Sequence, residues 1–69
     1  MPTTSEINAE RKELNRTRRA AAGDPVIVCY AEKLRSLWKH YIEGDRRPEL
    51  MRTILSQRAE LDAYLAAKR

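Results

Sequence analysis

The chain has 69 residues, a formal net charge of +4 and a single cysteine, Cys29. This length leaves room for one domain over residues 1–69, and a monomer would bury only about 60% of the surface that the unfolded chain exposes. One cysteine excludes an intramolecular disulfide, and Cys29 with His40 falls short of the roughly four ligands of a structural zinc site. No metal or other cofactor is therefore expected. Stability would come from a very well packed helical core or from self-association, and self-association is favoured.

The composition also argues against a membrane protein. The longest apolar run, residues 26–31, is far shorter than the roughly 20 residues that span a bilayer. The first six residues lack the basic and apolar pattern of a secretion signal. Together with the lone cysteine, these features predict a protein of the reducing cytoplasm.

The first predicted helix covers residues 5–22 and follows a tail of residues 1–4. Thr3 and Glu6 have the spacing of a capping box, and Ser5 is a competing cap. The sequence therefore indicates where this helix begins more clearly than what it packs against.

The apolar line of this first helix is weak, because only Ile7, Leu14 and Ala21 recur along it. Its charges are sorted rather than mixed, and only Glu13 and Arg16 are spaced to attract each other. Such a helix suits docking against nucleic-acid phosphate, an acidic protein or a second copy, and a solvated face with chance clustering is the alternative. The basic arc consists of Arg11, Lys12, Arg16, Arg18 and Arg19.

The second predicted helix covers residues 25–43. Gly23 ends the preceding helix, Asp24 is a strong N-cap, and Pro25 suits the first helical position. The apolar stripe of this helix is the richest in the chain and predicts the main core surface. It contains Ile27, Tyr30, Ala31, Leu34, Leu37, Trp38 and Tyr41.

The third predicted helix covers residues 48–67, after a stop at Gly44, with Arg47 as the expected N-cap before Pro48. The connection to the second helix is short, so the two are expected to form an antiparallel hairpin. The predicted fold is all-α: a core hairpin of the second and third helices, with an additional, more polar N-terminal helix. The stripe of the third helix contains Leu50, Ile54, Leu61 and Leu65.

Three apolar side chains are predicted to bind a partner: Val28, Trp38 and Tyr64. Val28 points away from the main stripe and needs a cover, which either the first helix or a second copy supplies. Trp38 suits a core position or an interface anchor. His40 is a further interface candidate at the rim of the same helix.

Arg58 interrupts the stripe of the third helix between Ile54 and Leu61. A buried unpaired guanidinium is strongly unfavourable. Arg58 must therefore extend to solvent, pair with a carboxylate, or reach a partner, and Glu32 and Glu43 of the hairpin are the candidate carboxylates. We accordingly predict that it marks an interface.

An enzyme is not expected. Cys29 and His40 are eleven residues apart, roughly 16 Å along a helix, whereas a nucleophile and its base must lie within about 3 Å. Ser36 could touch His40, but a serine on an exposed helix face lacks an oxyanion hole. A chain this short encloses no substrate cavity unless copies assemble around one. Cys29 is expected to be a small buried hydrophobe.

The 14 lysines and arginines support a second hypothesis, binding of nucleic acid, in which basic residues share one face. The basic arc of the first helix joins a second basic group if that helix lies near the hairpin turn, and stays separate if it lies at the other end. The second group comprises Arg46, Arg47 and Arg52.

The chain resembles small accessory proteins common in phages and bacteria, although this likeness carries no motif and assigns no residue roles. We predict a non-enzymatic helical module that binds a larger protein or a second copy of itself. The alternative is a nucleic-acid-binding protein that contacts phosphates through the two basic groups. Neither a membrane nor a small molecule is an expected partner.

Overall fold

A computed structural model of the chain describes residues 2–68, so Met1 of the predicted tail lies outside the described residues. Three α-helices follow one another: α1 over Thr4–Ala20, α2 over Pro25–Ile42 and α3 over Pro48–Ala67. Within the described residues there is no strand. The predicted all-α fold and its hairpin of α2 and α3 are confirmed.

The first helix begins where its cap dictates. The hydroxyl oxygen of Thr3 accepts a hydrogen bond from the backbone N–H of Glu6 at 3.1 Å, so Thr3 is the N-cap and α1 starts at Thr4. The helix ends at Ala20, two residues before the predicted end, because Ala21 leaves helical geometry with φ −114° and ψ 34°.

Asp24 caps α2 and also joins two distant parts of the chain. Its carboxylate accepts hydrogen bonds from the backbone N–H groups of Val26 and Ile27 at 3.0 and 3.4 Å. The hydroxyl of Tyr64 and the ammonium of Lys68 donate to the same carboxylate. The C-terminal end of α3 is therefore fixed against the α1–α2 connection.

Gly44 ends α2 in the manner predicted for it. Its φ is +119°, a conformation that L side chains rarely adopt. The N–H of Gly44 donates to the carbonyl of Tyr41 at 3.2 Å, and the N–H of Asp45 donates to that of His40 at 3.0 Å. These two bonds form a Schellman motif, which satisfies carbonyls at the helix end.

The second helix occupies the centre of the molecule. It packs against α1 on one side and against α3 on the other, while the backbones of α1 and α3 stay apart. Ile7 and Leu14 are the residues that α1 buries. The core consists of Ile7, Leu14, Ile27, Ala31, Leu34, Trp38, Tyr41, Leu50, Ile54 and Leu61.

The first helix thus packs on its own hairpin, which the sequence had left open. Ile7 and Leu14, seven residues apart, are only 3% and 1% exposed. Two well-buried residues at this spacing lie on one side of a helix and are enough to seat it along α2. None of the helices in the described part of the chain is both long and apolar enough to cross a membrane.

Candidate nucleic-acid interface

The surface formed by α1 and α2, on the side away from α3, carries most of the exposed positive charge of these two helices. Three adjoining shallow grooves run along it, and they share lining residues with one another. We call this surface the basic face. Its cationic members are Arg11, Lys12, Arg18, Arg19, Arg35 and Lys39.

Helical spacing explains how α1 contributes to the basic face. Arg11 and Arg18 each follow a buried residue, Ile7 or Leu14, by four positions, so they flank the buried stripe on one side. Glu10 follows Ile7 by three positions and flanks the stripe on the other side. Docking on α2 therefore turns the basic flank of α1 toward one surface and the acidic flank toward another.

The second helix adds two cations that the sequence analysis did not select. Arg35 and Lys39 are one helical turn apart and border the same groove as Arg11. The spacing of Arg35 from buried Ala31 is the signal that could have identified them, because it places Arg35 at the edge of the apolar stripe. Which edge would face α1 depends on the packing of the two helices.

Arg11 and Arg35 are the central pair of the basic face, since both border two of its three grooves. Each side chain is half-buried, and each Nε atom is buried without a hydrogen-bond partner among the described residues. A buried donor without an acceptor is unfavourable, and native proteins keep few such groups. No carboxylate among the described residues therefore competes with a ligand for the guanidinium groups of this pair.

Arg18 has the acceptors that this pair lacks. Its guanidinium donates to the carboxylate of Glu32 at 3.4 Å and to the amide oxygen of Asn15 at 2.9 Å. Glu32 is also the single carboxylate among the described residues that line these grooves, and it borders two of the three. The one carboxylate of this surface thus forms an ion pair with Arg18, one of the six cations.

Arg58 lies on a different surface and pairs with carboxylates, as one of its alternatives predicted, but the two candidate residues were wrong. The guanidinium pairs with the carboxylate of Glu10 on α1 and with that of Asp62 at 3.2 Å, rather than with Glu32 or Glu43. Part of the sorted charge of α1 is therefore satisfied inside the molecule, between its acidic flank and α3.

Arg16 and the second basic group stand apart from the basic face. Arg16 pairs with Glu13 at 3.5 Å, as its spacing suggested. Arg46 stacks over the ring of Tyr41 at 3.9 Å, and exposed Arg52 lies in the first turns of α3. The Arg46, Arg47 and Arg52 group follows the C-terminal end of α2, and none of its members lines a groove of the basic face.

Arg47 is largely occupied by its neighbour Asp45. Its guanidinium donates to the Asp45 carboxylate at 2.8 and 3.0 Å, and its backbone N–H donates at 3.2 Å. The side-chain hydrogen bonds from Arg47, with the backbone bond, lower the pKa of Asp45 from 3.8 to about 2. The positive charge of Arg47 is therefore balanced within the turn.

The three apolar residues predicted to bind a partner do not form one surface. Trp38 is 9% exposed and lies in the core, where its ring meets that of Tyr41 edge-on at 5.7 Å. The hydroxyl of half-buried Tyr64 donates to Asp24 at the other end of α2. Val28 is half-buried and borders the basic face beside α1, so the first helix supplies part of its cover.

A further groove, which the sequence pattern did not predict, lies between α2 and α3. It is lined by Val26, which is 41% exposed, and by Cys29 and Tyr30. The prediction of a buried Cys29 was wrong, because packing turns this edge of α2 outward. Burial and the neighbouring Glu60 carboxylate raise the pKa of Tyr30. The i, i+3, i+4 spacing of Val26, Cys29 and Tyr30 is the signal that could have identified the groove.

The chemical groups considered for catalysis are exposed on α2. Ser36 borders the basic face, and the imidazole of His40, an interface candidate, lies near the end of the helix. No group of three or more histidine, cysteine or acidic side chains suited to a metal ion occurs in residues 2–68. Comparison with protein-family models, with curated proteins and with solved structures finds no match for this chain.

Proposed function

We propose that this protein is a non-enzymatic helical module that binds nucleic acid by contacting backbone phosphates through the basic face. The observation that carries the proposal is the charge of that face: six cations from two helices share it with one carboxylate, Glu32. A basic surface of this kind, concentrated on one face, is the electrostatic pattern expected of a nucleic-acid binder. The lone cysteine agrees with a reducing, cytoplasmic setting for this function.

The fold supports the proposal because it holds these charges in place before any ligand arrives. Arg11 and Arg35 lie on helices that Leu14 and Leu34 anchor in the core. Like charges held on one surface repel one another, and a polyanion relieves that repulsion. Five cations of the face have no carboxylate partner among the described residues: Arg11, Lys12, Arg19, Arg35 and Lys39.

The same surface favours duplex nucleic acid over single strands. Single-strand binders stack bases on aromatic side chains. The four aromatic residues of this chain lie elsewhere: Trp38 and Tyr41 in the core, Tyr30 in the α2–α3 groove and Tyr64 beside Asp24. Polar Asn8 and Asn15, which border the basic face, are suited to phosphate oxygens. We therefore expect backbone contacts and little sequence preference.

The expected salt dependence follows from the number of unpaired cations. Each phosphate contact contributes a slope of about −0.9 in a plot of log affinity against log salt concentration. With about three to five contacts the slope lies between about −2.7 and −4.5. Affinity then falls about 40-fold to 500-fold between 50 and 200 mM salt.

The test is fluorescence anisotropy with a labelled duplex of about 20 base pairs and the corresponding single strand. Lys12→Glu with Lys39→Glu reverses two charges on the basic face, and Lys33→Glu with Arg52→Glu makes the same charge change elsewhere. Lys33 borders the α2–α3 groove and Arg52 is exposed on α3. We expect the first pair to weaken binding at least about 60-fold at 0.1 M salt.

Two results would overturn the proposal. One is no measurable binding of either nucleic acid at 50 mM salt. The other is an equal loss for the two charge-matched pairs, which would show a response to net charge rather than to the basic face. Binding of a protein partner or of a second copy through Val28, Trp38 and Tyr64 stays a prediction. It has less support, because these three residues do not form one surface.

A further inference from the structure

We propose that Arg11 and Arg35 together form a site for a single phosphate group at the centre of the basic face. The inference rests on the proposed function and assigns its principal contact. The two arginines come from different helices, yet both border the same two adjoining grooves. The site therefore exists only when α1 is docked on α2.

The lack of acceptors for the guanidinium groups of Arg11 and Arg35 supports the assignment. Four other arginines have carboxylate partners: Glu13 for Arg16, Glu32 for Arg18, Asp45 for Arg47, and Glu10 with Asp62 for Arg58. Arg11 and Arg35 instead keep buried Nε–H groups without an acceptor among the described residues. A phosphate group offers several oxygens, and arginine binds it through paired, charge-assisted hydrogen bonds.

Surrounding side chains fit a phosphate that belongs to a chain. One groove beside the pair contains Asn8, Asn15 and Lys12. The other contains Ser36, Lys39 and the carboxylate of Glu32, which pairs with Arg18. If Arg11 and Arg35 hold one phosphate, Lys12 and Lys39 are thus available to contact the phosphates before and after it in the same strand. This arrangement favours a phosphodiester backbone, with free inorganic phosphate as the other source of the same chemistry.

Salt titrations distinguish one shared phosphate from two separate contacts. Arg11→Gln, Arg35→Gln and the double variant are compared with Lys12→Gln, Lys39→Gln and their double variant. If two arginines share one phosphate, the arginine double variant lowers the magnitude of the slope by about 0.9, while either single variant changes it little. The lysine double variant, which removes two separate contacts, lowers it by about 1.8.

A second measurement uses inorganic phosphate alone. The thermal midpoint is recorded in phosphate and in chloride at equal ionic strength, and circular dichroism verifies that each variant is folded. We expect phosphate to raise the midpoint of the unsubstituted protein and of the lysine double variant. The arginine double variant should show no such rise, because it lacks both guanidinium groups of the proposed phosphate site.

The outcomes separate the two proposals. A slope change of about 1.8 for the arginine double variant, equal to the sum of the single changes, would replace the shared site by two independent contacts. A phosphate-specific rise in the midpoint without duplex binding would retain the arginine site and overturn the proposed function. Duplex binding that is unaffected by loss of both arginines would overturn the site alone.

Discussion

The substitution Leu14→Ala tests whether α1 is held on α2 by the two residues that it buries. Leu14 is 1% exposed and is one of the largest fully buried side chains. Truncation of such a leucine leaves a cavity and costs about 3 kcal/mol. A domain of 69 residues has a total stability of only about 3.5–10 kcal/mol, so this loss is a large fraction of it.

The expected result is a fall in the thermal midpoint of about 12–24 °C, since each kcal/mol shifts the midpoint of a small domain by about 4–8 °C. Urea unfolding followed by circular dichroism gives the change in free energy. Leu55→Ala is the matched control, because Leu55 is 61% exposed and its truncation leaves no buried cavity. We expect the control to change stability by less than about 0.5 kcal/mol.

The Leu14→Ala substitution should also weaken the proposed binding of nucleic acid. Arg11 and Lys12 of the basic face belong to α1, whereas Arg35 and Lys39 belong to α2. If α1 is not docked on α2, these two pairs of cations no longer share one surface. Duplex binding by the Leu14→Ala variant should therefore weaken under conditions in which Leu55→Ala binds normally. A loss of stability below about 1 kcal/mol, or one equal to that of the control, would refute the packing of α1 described above.

Four further substitutions, one of them a control, test the connections at the two ends of α2. Asp24→Ala removes the N-cap and its bonds to the end of α3, and should cost about 1–2 kcal/mol in urea unfolding. Gly44→Ala should cost about 1–2 kcal/mol because φ is +119°, while Gly23→Ala, at a glycine without positive φ, should be neutral. Asp45→Asn should destabilise the protein at pH 7 and have little effect at pH 1.5. Arg47 lowers the pKa of Asp45 from 3.8 to about 2, so its contribution is complete above about pH 4 and is lost as pH falls. A stability difference that persists at pH 1.5 would contradict that assignment.

The sequence by itself determined the number of helices and most of their ends. Thr3, Asp24 and Gly44 act on backbone groups within a few residues of themselves, so their effects can be read from local order. The apolar stripes of α2 and α3 also follow from helical period alone, which is why the core hairpin was predictable.

Only the tertiary structure decided which charges meet and which are left without partners. The pairing of Arg58 with Glu10 joins residues 48 positions apart, and the juxtaposition of Arg11 with Arg35 depends on α1 lying along α2. Periodicity gives the angle between two side chains on one helix, but not the rotation of that helix against its neighbour. That rotation, set by Ile7 and Leu14 in the core, turns the basic flank of α1 toward Arg35 and its acidic flank toward α3.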